Sequence, residues 1–320
     1  MSVTGLGMPY MGSKRKLAPK IITHILKENT KAKYFYDLFG GGGAISFMAL
    51  QAKQIKEVNY NEYNPAIVNL LKYIVENGVT DECYKWVSRE EFKKNLSRTD
   101  WYGGLMTIMW SFGNIGKTYL FGKDLEHDKK LLHEIVVDNN INSINKFKDK
   151  FDFNFSAETI HNTFVNKSIE QRRVVIARIV KNKANRLDNQ QLQQLEQLER
   201  LKQLKQLQQL EQLEQLERLK RLGRIEKLKI TNLSYEEVEI NTPVEETILY
   251  LDPPYKNTAS YNKTIDFSKL QEFIKKSKYK IYLSEYNNTY DMRLVNEYKH
   301  RGTLSGGYNN EVIEKLFCNR

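Results

Sequence analysis

Apolar positions along the chain follow two rhythms. From residue 17 to 75, short apolar runs alternate with amphipathic stretches. That pattern predicts a helix from Leu17 to Glu28, a strand opening at Tyr34, a helix after the glycines at 40–43, a strand over Glu57 to Tyr60 and a helix after Pro65. The same rhythm returns near the other end. Strands are predicted over Lys229 to Leu233, Ile248 to Leu251 and Tyr279 to Leu283, with a helix over Ile265 to Lys276. The tail, Val312 to Phe317, reads as a last edge strand. Strands alternating with helices imply an α/β fold around a parallel sheet. Residues 80–185 lose this rhythm and read as an insertion. The expected organisation is a core from 1–80 and 228–320, an insert at 81–187 and a repeat arm at 188–227.

The repeat follows its own rule. Residues 190–222 are almost entirely Leu, Gln, Glu, Lys and Arg, with leucine at every third position from Leu192 to Leu222. The ten residues from Leu195 recur from Leu213, except that Gln203 becomes Arg221. These residue types favour helix. A three-residue period lags an α-helix by about 60° per step, so the leucines circle the helix and form no coiled-coil seam. The expectation is a long α-helix whose leucines face several neighbours. It is read as a repeat expanded by replication slippage, with an arm for self-association as the rival; the protein would be a monomer or associate through 190–222.

Composition narrows the partners. The 320 residues carry a net charge of +11 and a pI of about 9.3, which point to a polyanion. Cys83 and Cys318 stand far apart, in no metal-binding spacing, and fit a reducing cytosol. No apolar run is long enough for a membrane span, and the first residues lack a signal-peptide pattern. The five histidines are scattered, so no metal is expected.

Candidate chemistry collects in the loops after the strands, where open α/β sheets bind ligands. After Leu251 comes Asp252-Pro253-Pro254-Tyr255. The two prolines stiffen the loop. It offers a carboxylate, carbonyls without ladder partners and an aromatic face, which suit a planar base bearing an exocyclic amine. Gly40, Gly41, Gly42 and Gly43 follow the first strand, where backbone can approach a ligand closely. The dinucleotide fingerprint fails, because Ser46 or Ile45 stands where its third glycine is needed, and there is no Walker A lysine. A nucleoside carrying an amino acid in place of a pyrophosphate stays open. Glu62 ends the second strand, where an acidic residue can hold ribose hydroxyls, although Asn64-Pro65 also reads as a helix cap. Near the start, Lys14 and Lys16 flank a glycine turn and could hold a carboxylate or a phosphate.

In the insert, aromatic and basic residues interleave: Trp86, Trp101, Tyr102, Trp110, Phe112, Lys117, Tyr119, Phe121 and Lys123, with Arg172 and Arg173 beyond. Asn114, Lys117, Tyr119, Lys123, Arg172 and Arg173 are the candidate DNA contacts. An ordinary subdomain with an aromatic core is the alternative.

Taken in order, these motifs resemble the Dam-type DNA adenine-N6 methyltransferases, over about residues 8–75 and 228–317. Tyr10-Met11-Gly12-Ser13-Lys14 is similar to that family's N-terminal motif, which contacts the methionyl part of S-adenosylmethionine. Asp37 with Phe39 to Gly43 resembles its cofactor loop, Glu62 its acidic ribose ligand, and Asp252 to Tyr255 its catalytic tetrapeptide. Where the family has an acidic residue and an aromatic against the cofactor adenine, this chain has Ser234 and Tyr235.

The resemblance implies a Rossmann-like S-adenosylmethionine-dependent sheet, with the insert as target-recognition domain on double-stranded DNA. The target adenine would be flipped out. Tyr255 would stack on it, while the Asp252 carboxylate and the Pro253 carbonyl accept the N6 hydrogens. The implied location is the cytoplasm of a bacterium or phage-infected cell, with phage, orphan and restriction-modification settings all open. Two rivals remain: an RNA or protein N-methyltransferase, and a DNA-binding or assembly protein that keeps the fold.

Overall fold

The computed structural model describes residues 5–187, 203–204, 207–220, 222–254, 265–288, 290–301 and 311–320. Two compact units emerge. The first, here the core, comprises residues 1–78, 98–104 and 218–320; the second, here the insert, comprises 79–97 and 105–217.

The core is built on a seven-stranded sheet. Its strands are β1 (Tyr34–Asp37), β2 (Glu57–Asn61), β3 (Leu228–Thr231), β4 (Thr247–Leu251), β5 (Lys280–Glu285), β6 (Arg293–Arg301) and β7 (Glu311–Cys318). They lie in the order β3-β2-β1-β4-β5-β7-β6. The first five are mutually parallel, and β7 runs antiparallel between β5 and β6. The fold is therefore α/β, with the Rossmann-like sheet expected from the βα rhythm. Every residue of β4 is buried, as a central parallel strand covered on both faces requires.

Alternate residues of the strands feed two cores. Phe35, Val58, Ile248, Tyr250 and Tyr282 pack with helices α1 (Ala18–Glu28) and α2 (Ala44–Gln51). Tyr36, Leu249, Leu251, Ile281 and Leu283 pack on the opposite face with Leu270 and Ile274 of the helix Phe267–Lys276. That helix begins at Asp266, whose carboxylate accepts from the Ser268 and Lys269 amides. Helix α3 (Pro65–Asn77) begins as its Asn-Pro signal implies, with Asn64 Oδ1 accepting from the Ala66 amide.

One strand was placed wrongly. The tail strand β7 is interior, and the edge is β6, for which the sequence gives little signal. β6 reads Arg-Leu-Val-Asn-Glu-Tyr-Lys-His-Arg, and an irregularity between Leu294 and Asn296 breaks its period-two alternation. Bulges and charged side chains protect an exposed strand edge, and they also hide it from a hydrophobic pattern.

The insert is helical. Its helices include Lys123–Val137, Ile141–Lys150, Ala157–Val165 and Ile169–Leu187. Its aromatic residues form a core: Trp86 and Trp110 meet edge to face at 5.1 Å, Phe121 packs against both of them and Tyr119 against Trp110. The repeat contributes the helix Gln208–Lys220; residues 188–202 lie outside the described residues. Leu204, Leu207, Leu210, Leu213 and Leu216 are all buried, so this half of the repeat is packed within the protein and presents no leucine stripe to solvent. Glutamine shares the buried side. With its amide oriented by the network, Gln212 donates to the Met109 and Ile108 carbonyls and accepts from Asn114 Nδ2 at 2.8 Å.

Candidate active site

The chain reverses its winding between β1 and β4, which lie side by side in the sheet. Asp37 pairs in register with Tyr250, so the loops after β1 and β4 open at the same end. This is where an open α/β sheet receives a ligand. Asp37, Gly40 to Gly43, Glu62, Asp252, Pro253 and Pro254 all stand at the carboxyl ends of β1, β2 and β4.

The glycine loop is shaped largely by the protein's own atoms. A methyl group on Gly40 would stand 2.2 Å from Tyr60 Cε2, and one on Gly42 would stand 2.5 Å from the Met8 carbonyl oxygen. The Tyr60 hydroxyl donates to the Gly41 carbonyl at 2.7 Å, and the Met8 amide to the Gly42 carbonyl at 2.7 Å. Gly41 differs. Its φ is +47°, and an added methyl would meet only the Tyr10 ring, at 3.2 Å. Helix α2 follows Gly43, which has no side chain to cap its first amides.

Glu62 ties this loop down. Its Oε2 accepts from the Gly41 amide at 2.8 Å and its Oε1 from the Asn64 amide at 2.9 Å. Burial pushes its carboxyl up, against those two bonds. Asn61, which sequence reasoning missed, is buried beside it. Asn61 Nδ2 donates to the Leu38 and Leu233 carbonyls and Oδ1 accepts from the Leu233 amide, locking the loops after β1, β2 and β3. Only a buried polar residue at a strand end announces it. Ser234 caps the short turn Tyr235–Glu237, and the Tyr235 ring sits 5.2 Å from Phe39 and 5.5 Å from Phe273.

Asp37 carries a strong electrostatic signature. One oxygen accepts from Ser46 Oγ at 2.7 Å; the other is buried without a hydrogen-bond partner. Burial, followed by the charges of Asp252 and Glu62, pushes its carboxyl up to about 7. A buried acceptor left unpartnered awaits a donor. With the uncapped amides of α2 and the close approach allowed at Gly41, it fits a nucleoside cofactor that brings both hydroxyl and ammonium donors.

Lys14 is engaged by carboxylates of the protein itself. Its Nζ donates to Asp252 Oδ1 at 2.8 Å and stands 3.6 Å from Glu314 Oε1. Lys14 is 7% exposed and the Asp252 side chain 19%. Glu285, at the end of β5, completes a group of carboxyls around this ammonium, with Oε2 buried and unpartnered. Neither Glu285 nor Glu314 was among the sequence candidates. Glu285 could have been found by the rule that found Asp252, an acid at the carboxyl end of a parallel strand. Glu314 lies mid-strand on a strand taken for an edge. Tyr255 lies outside the described residues.

The insert candidates separate. Tyr119 is buried, with its hydroxyl donating to the Val87 carbonyl at 2.6 Å, so it is a core residue and no surface contact. Arg172 donates to the Phe164 and Val137 carbonyls, closing helix ends. Arg173 is paired with Glu211 and Glu214. Asn114 adopts a left-handed φ of 58° and donates to the Ile108 carbonyl. Lys117 and Lys123 are exposed. Among the described residues no cluster of His, Cys, Asp and Glu is placed to hold a metal ion, and no helix is long and apolar enough to cross a membrane.

Comparison with known families gives one finding of the same extent as the fold. The family model described as D12 class N6 adenine-specific DNA methyltransferase matches residues 10–317. No curated protein matches the chain.

Proposed function

The chain belongs to the D12 class of N6 adenine-specific DNA methyltransferases, and from this we propose that the residues gathered after β1, β2 and β4 are its active site. The enzyme transfers a methyl group from S-adenosylmethionine to N6 of adenine in DNA. When bound, S-adenosylmethionine supplies a sulfonium methyl, and formation of the N6–C bond with cleavage of the C–S bond leaves a neutral thioether, a methylated N6 and one proton.

In this reading Asp37, Glu62 and the backbone of Phe39 to Gly43 hold the cofactor, with Tyr10, Gly12 and Lys14 at its methionyl end and Ser234 and Tyr235 on the adenine side. A base stacked in a duplex hides its N6, so the target adenine must leave the stack. Tyr255 supplies a face for it. Asp252 and the Pro253 carbonyl accept the two N6 hydrogens, orienting the nitrogen lone pair and stabilising the positive charge that develops there. Pro254 keeps the loop stiff. Site selection on double-stranded DNA falls to the insert, with Lys117 and Lys123 as phosphate contacts.

The observation that carries this reading is the Asp252 carboxylate, held by Lys14 Nζ at 2.8 Å beside the partnerless oxygen of Asp37. Asp252→Ala is expected to abolish tritiated methyl transfer to DNA while calorimetry still detects cofactor binding. Persisting transfer would refute it.

A further inference from the structure

Lys14 is a buried cation with more than one counter-charge. Its ammonium touches Asp252 on β4's loop at 2.8 Å and Glu314 on β7 at 3.6 Å, and the Glu314 side chain is 2% exposed. A lone buried ion pair needs no second carboxylate, and burying an extra one is unfavourable unless it is compensated. Glu285 adds a third carboxyl to the same neighbourhood. Its Oε1 accepts from the Tyr286 amide at 2.8 Å, and its Oε2 has no partner. Burial, then the Glu314 and Asp252 charges, push it up to about 7, with Lys14 opposing. The phenols of Tyr250, Tyr286 and Tyr290 feel charges of the same group. The mechanism above uses neither glutamate.

Charge arithmetic gives them a use. Methyl transfer places positive charge on N6 next to Asp252. Lys14 and Asp252 alone form a neutral pair, whose ammonium would oppose that charge. Adding the Glu314 carboxylate makes the group net negative and draws the ammonium toward β7. We propose that Glu314, backed by Glu285, is a positioning residue for methyl transfer: it holds the Lys14 ammonium from β7, fixing the Asp252 carboxylate and keeping the group negative where N6 becomes positive. The inference rests on the active-site reading given above.

The test is single-turnover transfer of tritiated methyl to genomic DNA free of N6-methyladenine, together with cofactor-binding calorimetry. Glu314→Gln keeps the shape and removes the charge. Its rate is expected to fall roughly 10- to 100-fold, as misplacement of a reacting group does, with cofactor affinity nearly unchanged. In a Lys14→Met background the same substitution is expected to change the rate less than about twofold, because the two residues act as one unit. A wild-type rate in Glu314→Gln would overturn the inference, as would equal losses in both backgrounds or a parallel loss of cofactor affinity. Should Glu314→Gln fail to fold, Glu285→Gln decides. Its single-turnover rate should fall with cofactor affinity nearly unchanged, and the fall should vanish in the Lys14→Met background; a wild-type rate, or an equal loss in both backgrounds, overturns the proposal. Wild-type protein that methylates no DNA would overturn the active-site reading first, whereas an active wild type with an indifferent Glu314→Gln overturns this inference alone.

Discussion

At the carboxyl ends of β1 and β5 the core buries two carboxyl groups that keep their protons up to about pH 7, Asp37 and Glu285. The insert buries groups of the opposite kind. His133, bonded through Nε2 to the Tyr84 carbonyl and ringed by Trp86 and Trp110, is pushed down to about 4 by burial. Lys129, donating to the Gln203 carbonyl, is pushed down to about 8 by burial, against Glu211. Asp37 and Glu285 are thus sheltered acids of the core, and His133 and Lys129 sheltered bases of the insert. Asp37 Oδ1 and Glu285 Oε2 have no hydrogen-bond partner, whereas His133 Nε2 and Lys129 Nζ donate to backbone carbonyls of the insert.

That contrast breaks most visibly with pH. A carboxyl with a raised folded pKa favours the folded state at low pH. Its contribution is lost as pH rises from about 4 through about 7. The shifts of Asp37 and Glu285 correspond to roughly 4 and 3 kcal/mol at most. His133 does the reverse: its contribution is present above the ordinary value of 6.5 and lost as pH falls toward about 4. Hydrogen exchange corrected for intrinsic rates should show the core better protected at pH 5.5 than at pH 8, and the insert better protected at pH 8 than at pH 5. Asp37→Asn should remove the larger part of the core's dependence, leave the part due to Glu285, and leave the insert's in place. The same trend in both units would sink the comparison.

The second way to sharpen it is through the repeat. Leu210 is 1% exposed inside the insert. Truncating a buried leucine to alanine costs about 2–5 kcal/mol when the site cannot collapse. Leu210→Ala should therefore lower protection across 105–217 and leave the strands of the core as they were. Full protection in the variant would return the repeat to the status of a dispensable expansion.

How far the sequence could be read follows from the same contrast. The parallel strands β1, β4 and β5 were legible because each is a short, largely apolar run that ends in an acid or leads straight into one. Their chemistry is concentrated at one end by topology alone. β6 was not legible, because a charged edge strand with an irregularity has no apolar period. In the insert, an aromatic residue between basic ones reads the same whether it faces DNA or a core. Tyr119 and Phe121 went to the core, and Phe112, 66% exposed, did not. The leucine period of three excluded a coiled coil, but the burial of Gln209 and Gln212 beside the leucines depends on carbonyls and side chains far away in sequence. Arg172 and Arg173 were read as surface cations, since no sequence pattern shows which arginine closes a helix end.

Arg173 and Lys117 give the finest separation between internal and external cations. Arg173 donates through Nε and Nη2 to the two oxygens of Glu214 at 2.7 and 3.0 Å, and through Nη1 to Glu211 at 2.9 Å. A fork of this kind holds its helix to the repeat helix. Arg173→Ala should cost about 1 kcal/mol of insert stability, since the pair is only partly shielded from water. Its effect on DNA binding should disappear once stability is matched. Lys117 is exposed and should contribute nothing measurable to stability, with a change within about 0.5 kcal/mol. If it contacts a phosphate, Lys117→Ala should weaken binding to any DNA sequence equally and lower the salt dependence by about one counterion. Fluorescence anisotropy over a salt series, paired with melting curves, reads both quantities on both variants. The comparison fails if Arg173→Ala changes the salt slope and Lys117→Ala changes only the melting temperature, for then the insert's bonded cations would be the ones that meet DNA.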